Sequence, residues 1–214
     1  MQRWTIIGLV LALIGPGAVA LFAQAIATEP ETLPPRALGL FLFIALTAAV
    51  IVIATQKENT RLIQLGFANS GWLSALWAVP LTLFFIYLYG PAIYAALLAL
   101  NIGGFEGGLG TLHQLPTAYL IVAIAIVAAA EEWLYRGYAI ERLEAITGST
   151  WAAGALSLTA FVIVHLPLWG FAAALSTAVA GLIFTLLYIW RRDILMLIIA
   201  HVATDFVGII GTLS

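Results

Sequence analysis

Residues Thr117–Tyr138 read TAYLIVAIAIVAAAEEWLYRGY, in which an uncharged and mostly apolar run, Thr117 to Ala130, leads directly into an acid pair, Glu131-Glu132, with Arg136 one turn later. A run of this length and apolarity predicts a membrane-spanning helix, which needs about 20 such residues. Ionisable groups inside such a helix are costly and rare, so by default they mark function. Two more polar clusters interrupt apolar segments further along, Phe161-x-x-x-His165 and His201-x-x-x-Asp205. One acid pair, two histidines and a further carboxylate are the groups that water activation needs. A membrane-embedded hydrolase is therefore the first expectation.

Composition agrees with the bilayer. Of 214 residues 64% are hydrophobic and 8% charged, and mean hydropathy is +1.11. Soluble domains carry about 25% charged residues. The net charge of −2 and the lack of a Lys/Arg run argue against nucleic acid as a partner. Without cysteine there is no disulfide, thiolate metal site or cysteine nucleophile. The length suits one integral membrane domain, 1–214, in which 1–116 supplies N-terminal spans and 117–214 the catalytic core. Arg3, the apolar run from Trp4 and Ala23-Gln24-Ala25 imitate a secretory signal. The apolar run is nevertheless long enough to span, so it reads as a retained first helix.

The fold class expected is all-α, a polytopic membrane helix bundle of about seven transmembrane helices with the catalytic core in the last four. The segments fall near Trp4–Ala27, Ala37–Thr55, Trp72–Leu100, Thr117–Tyr138, Trp151–Leu168, Gly170–Trp190 and Ile194–Gly211. The third is overlong and carries Pro80 and Pro91, which predicts a kink or a break into two. Asn101–Pro116, rich in glycine and without Lys or Arg, reads as a flexible loop. With the N-terminus cytoplasmic, Arg3, Lys57, Arg61, Arg136, Arg142, Arg191 and Arg192 all lie inside and only Arg36 outside, as the positive-inside rule expects. The protein is thus placed in the cell membrane as a multi-pass protein in contact with lipid. Ala173, Thr177 and Gly181 form a small-residue series that predicts close helix packing. Trp151, Trp169 and Trp190 at span ends read as interfacial anchors.

Neighbouring residues on a helix point about 100° apart, so Glu131 and Glu132 cannot share one task. Glu132 and Arg136, four apart, are placed to form an ion pair. Glu131 is left without a local cation, on the face of Tyr135 and Tyr138. A desolvated carboxylate of that kind suits general acid–base work near neutral pH. His165, one turn after Phe161, is either a helix–helix hydrogen-bond donor or a site residue. His201 and Asp205 share a face of the last span. They form a structural hydrogen bond, or they bind a polarised carbonyl, an oxyanion or a metal ion. His113, in the glycine-rich loop, has no clustered partner and reads as solvated. Counting 1.5 Å per residue puts Glu131 about 20 Å from the outer end of its span, His201 about 10 Å from the inner end of its own, and His165 about 21 Å from the inner end. The first two agree in depth; His165 sits nearer the outside unless its helix is tilted, bent at Pro167 or re-entrant.

Other intramembrane chemistries lack their signatures: no G-x-S-x-G, no H-E-x-x-H, no Gly-Asp pair and no Glu-x-x-His repeat occurs. What does occur is Glu131-Glu132-x-x-x-Arg136, then Phe161-x-x-x-His165, then His201-x-x-x-Asp205, in that order on successive spans. This pattern, over about Thr117 to Gly211, resembles the CAAX protease and bacteriocin-processing (CPBP, or Abi) family. Its best-understood members are prenyl-protein endopeptidases that remove the last three residues of a CAAX tail. The resemblance implies that Glu131 and His165 activate water and that His201 and the residue at Asp205 stabilise the oxyanion, with Glu132, Arg136 and Phe161 in support. It implies no obligatory cofactor. Family members were long described as metalloproteases, and any zinc would fall on Glu131, His165, His201 and Asp205. The eukaryotic enzyme has asparagine where this chain has Asp205. Aspartate is a better metal ligand and, if ionised, a poorer neighbour for an oxyanion.

The expected function is an intramembrane endopeptidase acting on a peptide or membrane-protein substrate. The alternative is a non-catalytic membrane protein, such as a bacteriocin-immunity or scaffolding protein, which would tolerate loss of Glu131 or His201. A transporter with a polar midplane site lacks the inverted repeats or paired broken helices it needs.

Overall fold

The computed structural model describes residues 2–27, 32–103, 112 and 114–211, and among these there is helix and no strand. Six helices follow one another: α1 (Gln2–Ile26), α2 (Leu33–Lys57), α3 (Trp72–Ala99), α4 (Thr117–Thr147), α5 (Thr150–Arg191) and α6 (Ile194–Ile210). By length and apolarity α1 to α5 are able to cross a membrane, whereas α6, also apolar, is shorter. Large apolar side chains such as Trp72, Tyr87 and Trp190 point outward, as a surface facing hydrocarbon requires.

α5 is two helices. At Gly170 the backbone takes φ 80° and ψ 179°, a conformation that is essentially glycine's alone, three residues after Pro167. The arms 150–169 and 171–191 fold back on each other: Gly154 packs on Thr185 and Ile189, and Gly181 on Leu158 and Phe161. The fifth and sixth expected segments are therefore both present, antiparallel, with a glycine in place of a loop. α3, by contrast, is one continuous helix. A π-helical turn at Phe85–Tyr89 precedes Pro91 and absorbs the missing backbone donor there.

α4 runs on to Thr147, well past the expected end at Tyr138, and is wound as π-helix over Glu132–Ile140. Gly148 at φ 69° and Ser149, whose hydroxyl caps Ala152 N–H, then turn the chain into α5. Glu131 and His165 consequently lie about equally far from this turn, roughly 23 Å along either helix. The apparent depth mismatch of His165 came from ending α4 too early.

Polar networks tie the basic ends of the helices together. Arg142 Nε donates to Glu58 Oε2 at 2.8 Å and Tyr138 OH to Glu58 Oε1 at 3.1 Å. Arg192 bridges Glu141 and Glu144. Asp193 caps α6 by accepting from Met196 N–H at 3.2 Å, and it also accepts from Ser74 Oγ at 2.8 Å and Ser70 Oγ at 3.0 Å. This sets the start of α6, two turns before His201. The segment 62–66 crosses α4 so closely that Gly137 faces the Leu65 carbonyl, and Ile194 N–H donates to Gly66 O at 2.9 Å.

Candidate active site

α4, α5 and α6 bring Glu131, His165, His201 and Asp205 to one cavity of about 650 Å³. Glu131 ends the α-helical part of α4, where the winding changes to π. Glu132, the next residue, is buried and also lines the cavity. His165, His201, Asp205 and Glu132 are the electrostatic neighbours of Glu131.

The floor is an ion pair. Arg136 Nη1 donates to Glu132 Oε1 at 2.9 Å, and Nη2 to the Gly181 carbonyl at 3.3 Å. The guanidinium lies 4.4 Å from the ring centre of Phe161, with Phe184 at 6.0 Å. Both charges are buried, a placement sustained only by pairing. Phe161 contacts both groups: its ring faces Arg136 on one side and the ring of His165, at 4.6 Å, on another. Oε1 of Glu132 also accepts from His201 Nδ1 at 2.8 Å, and His201 Nε2 is 3.5 Å from Asp205 Oδ2. Arg136, Glu132, His201 and Asp205 thus form one chain of polar contacts across two helices. The other oxygen of Glu132 is buried with no hydrogen-bond partner among the described residues, as is the Thr204 hydroxyl.

His165 is fixed differently. Its Nδ1 lies 2.7 Å from the Phe161 carbonyl. A carbonyl only accepts, so Nδ1 carries the hydrogen and Nε2 is the acceptor of the neutral ring.

Tyr135 and Tyr138 lie in the core, where Tyr135 OH donates to Leu13 O at 3.3 Å and Tyr138 reaches Glu58. In the small-residue series Gly181 packs on Leu158 and Phe161, and Ala173, Thr177 and Gly181 all line the cavity. Glu132 serves two partners rather than Arg136 alone. His113 and most of the glycine-rich loop lie outside the described residues. Sequence reasoning missed Thr204, Tyr89, Ser176 and Arg36 as cavity residues. Asp193, an aspartate directly before an apolar helix, carried a legible N-cap signal.

The donor set for a metal is separated. Among the described residues no three His, Asp or Glu side chains come together in a way that could hold an ion. Although they share the cavity, these side chains do not come close enough together to form a three-ligand zinc centre.

A buried glutamate–arginine pair thus lies beside a second glutamate and two histidines, inside a bundle of helices long and apolar enough to cross a membrane. Residues 113–207 are similar to the family described as Type II CAAX prenyl endopeptidase Rce1-like. The matched stretch contains all three motifs. No curated protein and no solved structure matches the chain.

Proposed function

We propose that the protein is an intramembrane endopeptidase that hydrolyses a peptide bond by glutamate-activated water, without an obligatory metal. The observation that carries this reading is the convergence of Glu131, His165, His201 and Asp205 on one cavity, from three helices. Glu131 and the Nε2 acceptor of His165 position a water molecule, and Glu131 removes its proton as the oxygen attacks the scissile carbonyl. Negative charge then develops on the carbonyl oxygen. His201, held by Glu132, and the carboxyl group of Asp205 donate to that oxyanion. Collapse of the tetrahedral intermediate breaks the C–N bond, and Glu131 returns the proton to the leaving amine. Arg136 and Phe161 act one step back, by keeping Glu132 in place for His201.

The substrate is a membrane-inserted or membrane-associated peptide, CAAX-like in the sense of the matched family, and the protein sits in the cell membrane. The test compares new N-termini in membranes of cells carrying wild-type protein or Glu131→Gln. Fragments present only with wild type support the endopeptidase. Indistinguishable profiles, with both proteins folded and abundant, favour a non-catalytic immunity or scaffolding role. Stoichiometric zinc in active protein, with chelation and rescue, would sink the metal-free mechanism alone.

A further inference from the structure

Arg191, the last residue of α5, carries a charge that no carboxylate meets among the described residues. Its guanidinium lies 4.6 Å from the ring centre of Trp77, on α3, and 5.5 Å from that of Trp190. The two indoles stand 6.4 Å apart and nearly perpendicular, so they form a corner around the cation. Rings stabilise the charge but are poor acceptors for its N–H groups. The Nε of Arg191 is buried and has no hydrogen-bond partner among the described residues. The acids at this end of the bundle are engaged elsewhere. Arg142 holds Glu58, Arg192 holds Glu141 and Glu144, and Asp193 accepts from Ser70, Ser74 and the Met196 N–H. An unmet buried donor is costly, more so on a charged group. The corner therefore calls for an acceptor from outside the chain.

Its surroundings indicate which acceptor. Trp77 and Trp190 are both exposed, and outward apolar stripes lead from them along the spans, over Leu186 and Leu182 on α5 and Val79 and Leu83 on α3. Tryptophan at a span end sits at headgroup level, with hydrocarbon beyond it. The planar guanidinium matches a phosphate, to which it presents paired donors. We propose that Arg191, Trp77 and Trp190 bind the phosphodiester of an anionic phospholipid, whose acyl chains lie along those stripes. A zwitterionic headgroup carries its own cation beside the phosphate and gains less from a second one. The lipid bridges α3 and α5 beside the turn into α6, where Asn69 Nδ2 donates to Arg191 O at 2.8 Å. Binding here is independent of the chemistry in the cavity, so it stands or falls apart from the endopeptidase reading.

The full-length protein, stripped of lipid in detergent, is titrated with dioleoyl phosphatidylglycerol, dioleoyl phosphatidylcholine or glycerol phosphate. Melting temperature reports binding to the folded state, and native mass spectrometry counts the lipids retained. Phosphatidylglycerol should raise the melting temperature of wild type well above the other two. An equal rise with phosphatidylcholine overturns the choice of an anionic lipid, and an equal rise with glycerol phosphate overturns a lipid as the source. Arg191→Gln should weaken the apparent affinity for phosphatidylglycerol by on the order of tenfold, the scale of one hydrogen bond to a charged group, and should retain one lipid fewer. Its lipid-free melting temperature should change little, because no ion pair within the protein is lost. Arg191→Lys, which keeps the charge without the planar fork, should fall between. Trp77→Leu keeps the charge and removes one wall of the corner; it too should weaken binding, and it supplies the reading if Arg191→Gln does not fold. Unchanged affinity and lipid count in either folded variant, Arg191→Gln or Trp77→Leu, refute the site.

Discussion

Glu132 and Glu131 are adjacent yet have opposite parts, and the reason is partner geometry. Glu132 Oε1 takes hydrogen bonds from Arg136 at 2.9 Å and His201 at 2.8 Å, so it is a structural anion. Removing its cation leaves a buried, uncompensated charge, which costs roughly 3–5 kcal/mol. Arg136→Ala should therefore sharply reduce folded protein, read as monodisperse yield and melting temperature in detergent. Glu131→Gln should leave both unchanged while cleavage disappears; near-full turnover by that variant on a verified substrate would show the wrong base. Asp205→Asn, which still donates a hydrogen bond, should keep much of the activity. Asp205→Ala should lose on the order of a hundredfold, the scale of a missing oxyanion donor. If Asn and Ala fall equally, Asp205 acts as an anion and not as a donor.

At the scale of elements, two glycines decide how helices meet. A methyl group on Gly137 would lie 2.6 Å from the Leu65 carbonyl oxygen, nearer than such atoms approach. Gly137→Ala must push segment 62–66 off α4 and should lower the melting temperature. The same change should disturb α6 as well, because Gly66 O accepts from Ile194 N–H. Gly170 has open space around it, so Gly170→Ala meets no clash, only backbone strain of about 1–3 kcal/mol. The expected readout is a modest fall in melting temperature with folded protein still recoverable. Complete loss of folded protein would mean that packing at the hairpin tip, and not φ, is what Gly170 protects.

For the whole molecule, Lys57, Arg142 and Arg192 lie at one end of the bundle, with Glu58, Glu141 and Glu144. Reporter fusions after Lys57 and Arg192 should both report cytoplasm, since both lie at the basic end. An extracellular report at Lys57 would invert the orientation.

Hydropathy, the order of the three motifs and the four-residue spacings were enough to identify a helical membrane protein, the polar residues that meet in its cavity and the Glu132–Arg136 pair. These properties are local: they follow from side-chain transfer energies and from which residues share a helix face. Tertiary structure alone decided the rest. His201 and Glu132 stand 69 positions apart, and nothing in either motif announces that they bond. The π winding of α4 was likewise invisible, because an interior packed by α1 and α5 sets it and local propensity does not. The fold-back at Gly170 settled the depth of His165 only together with the true end of α4.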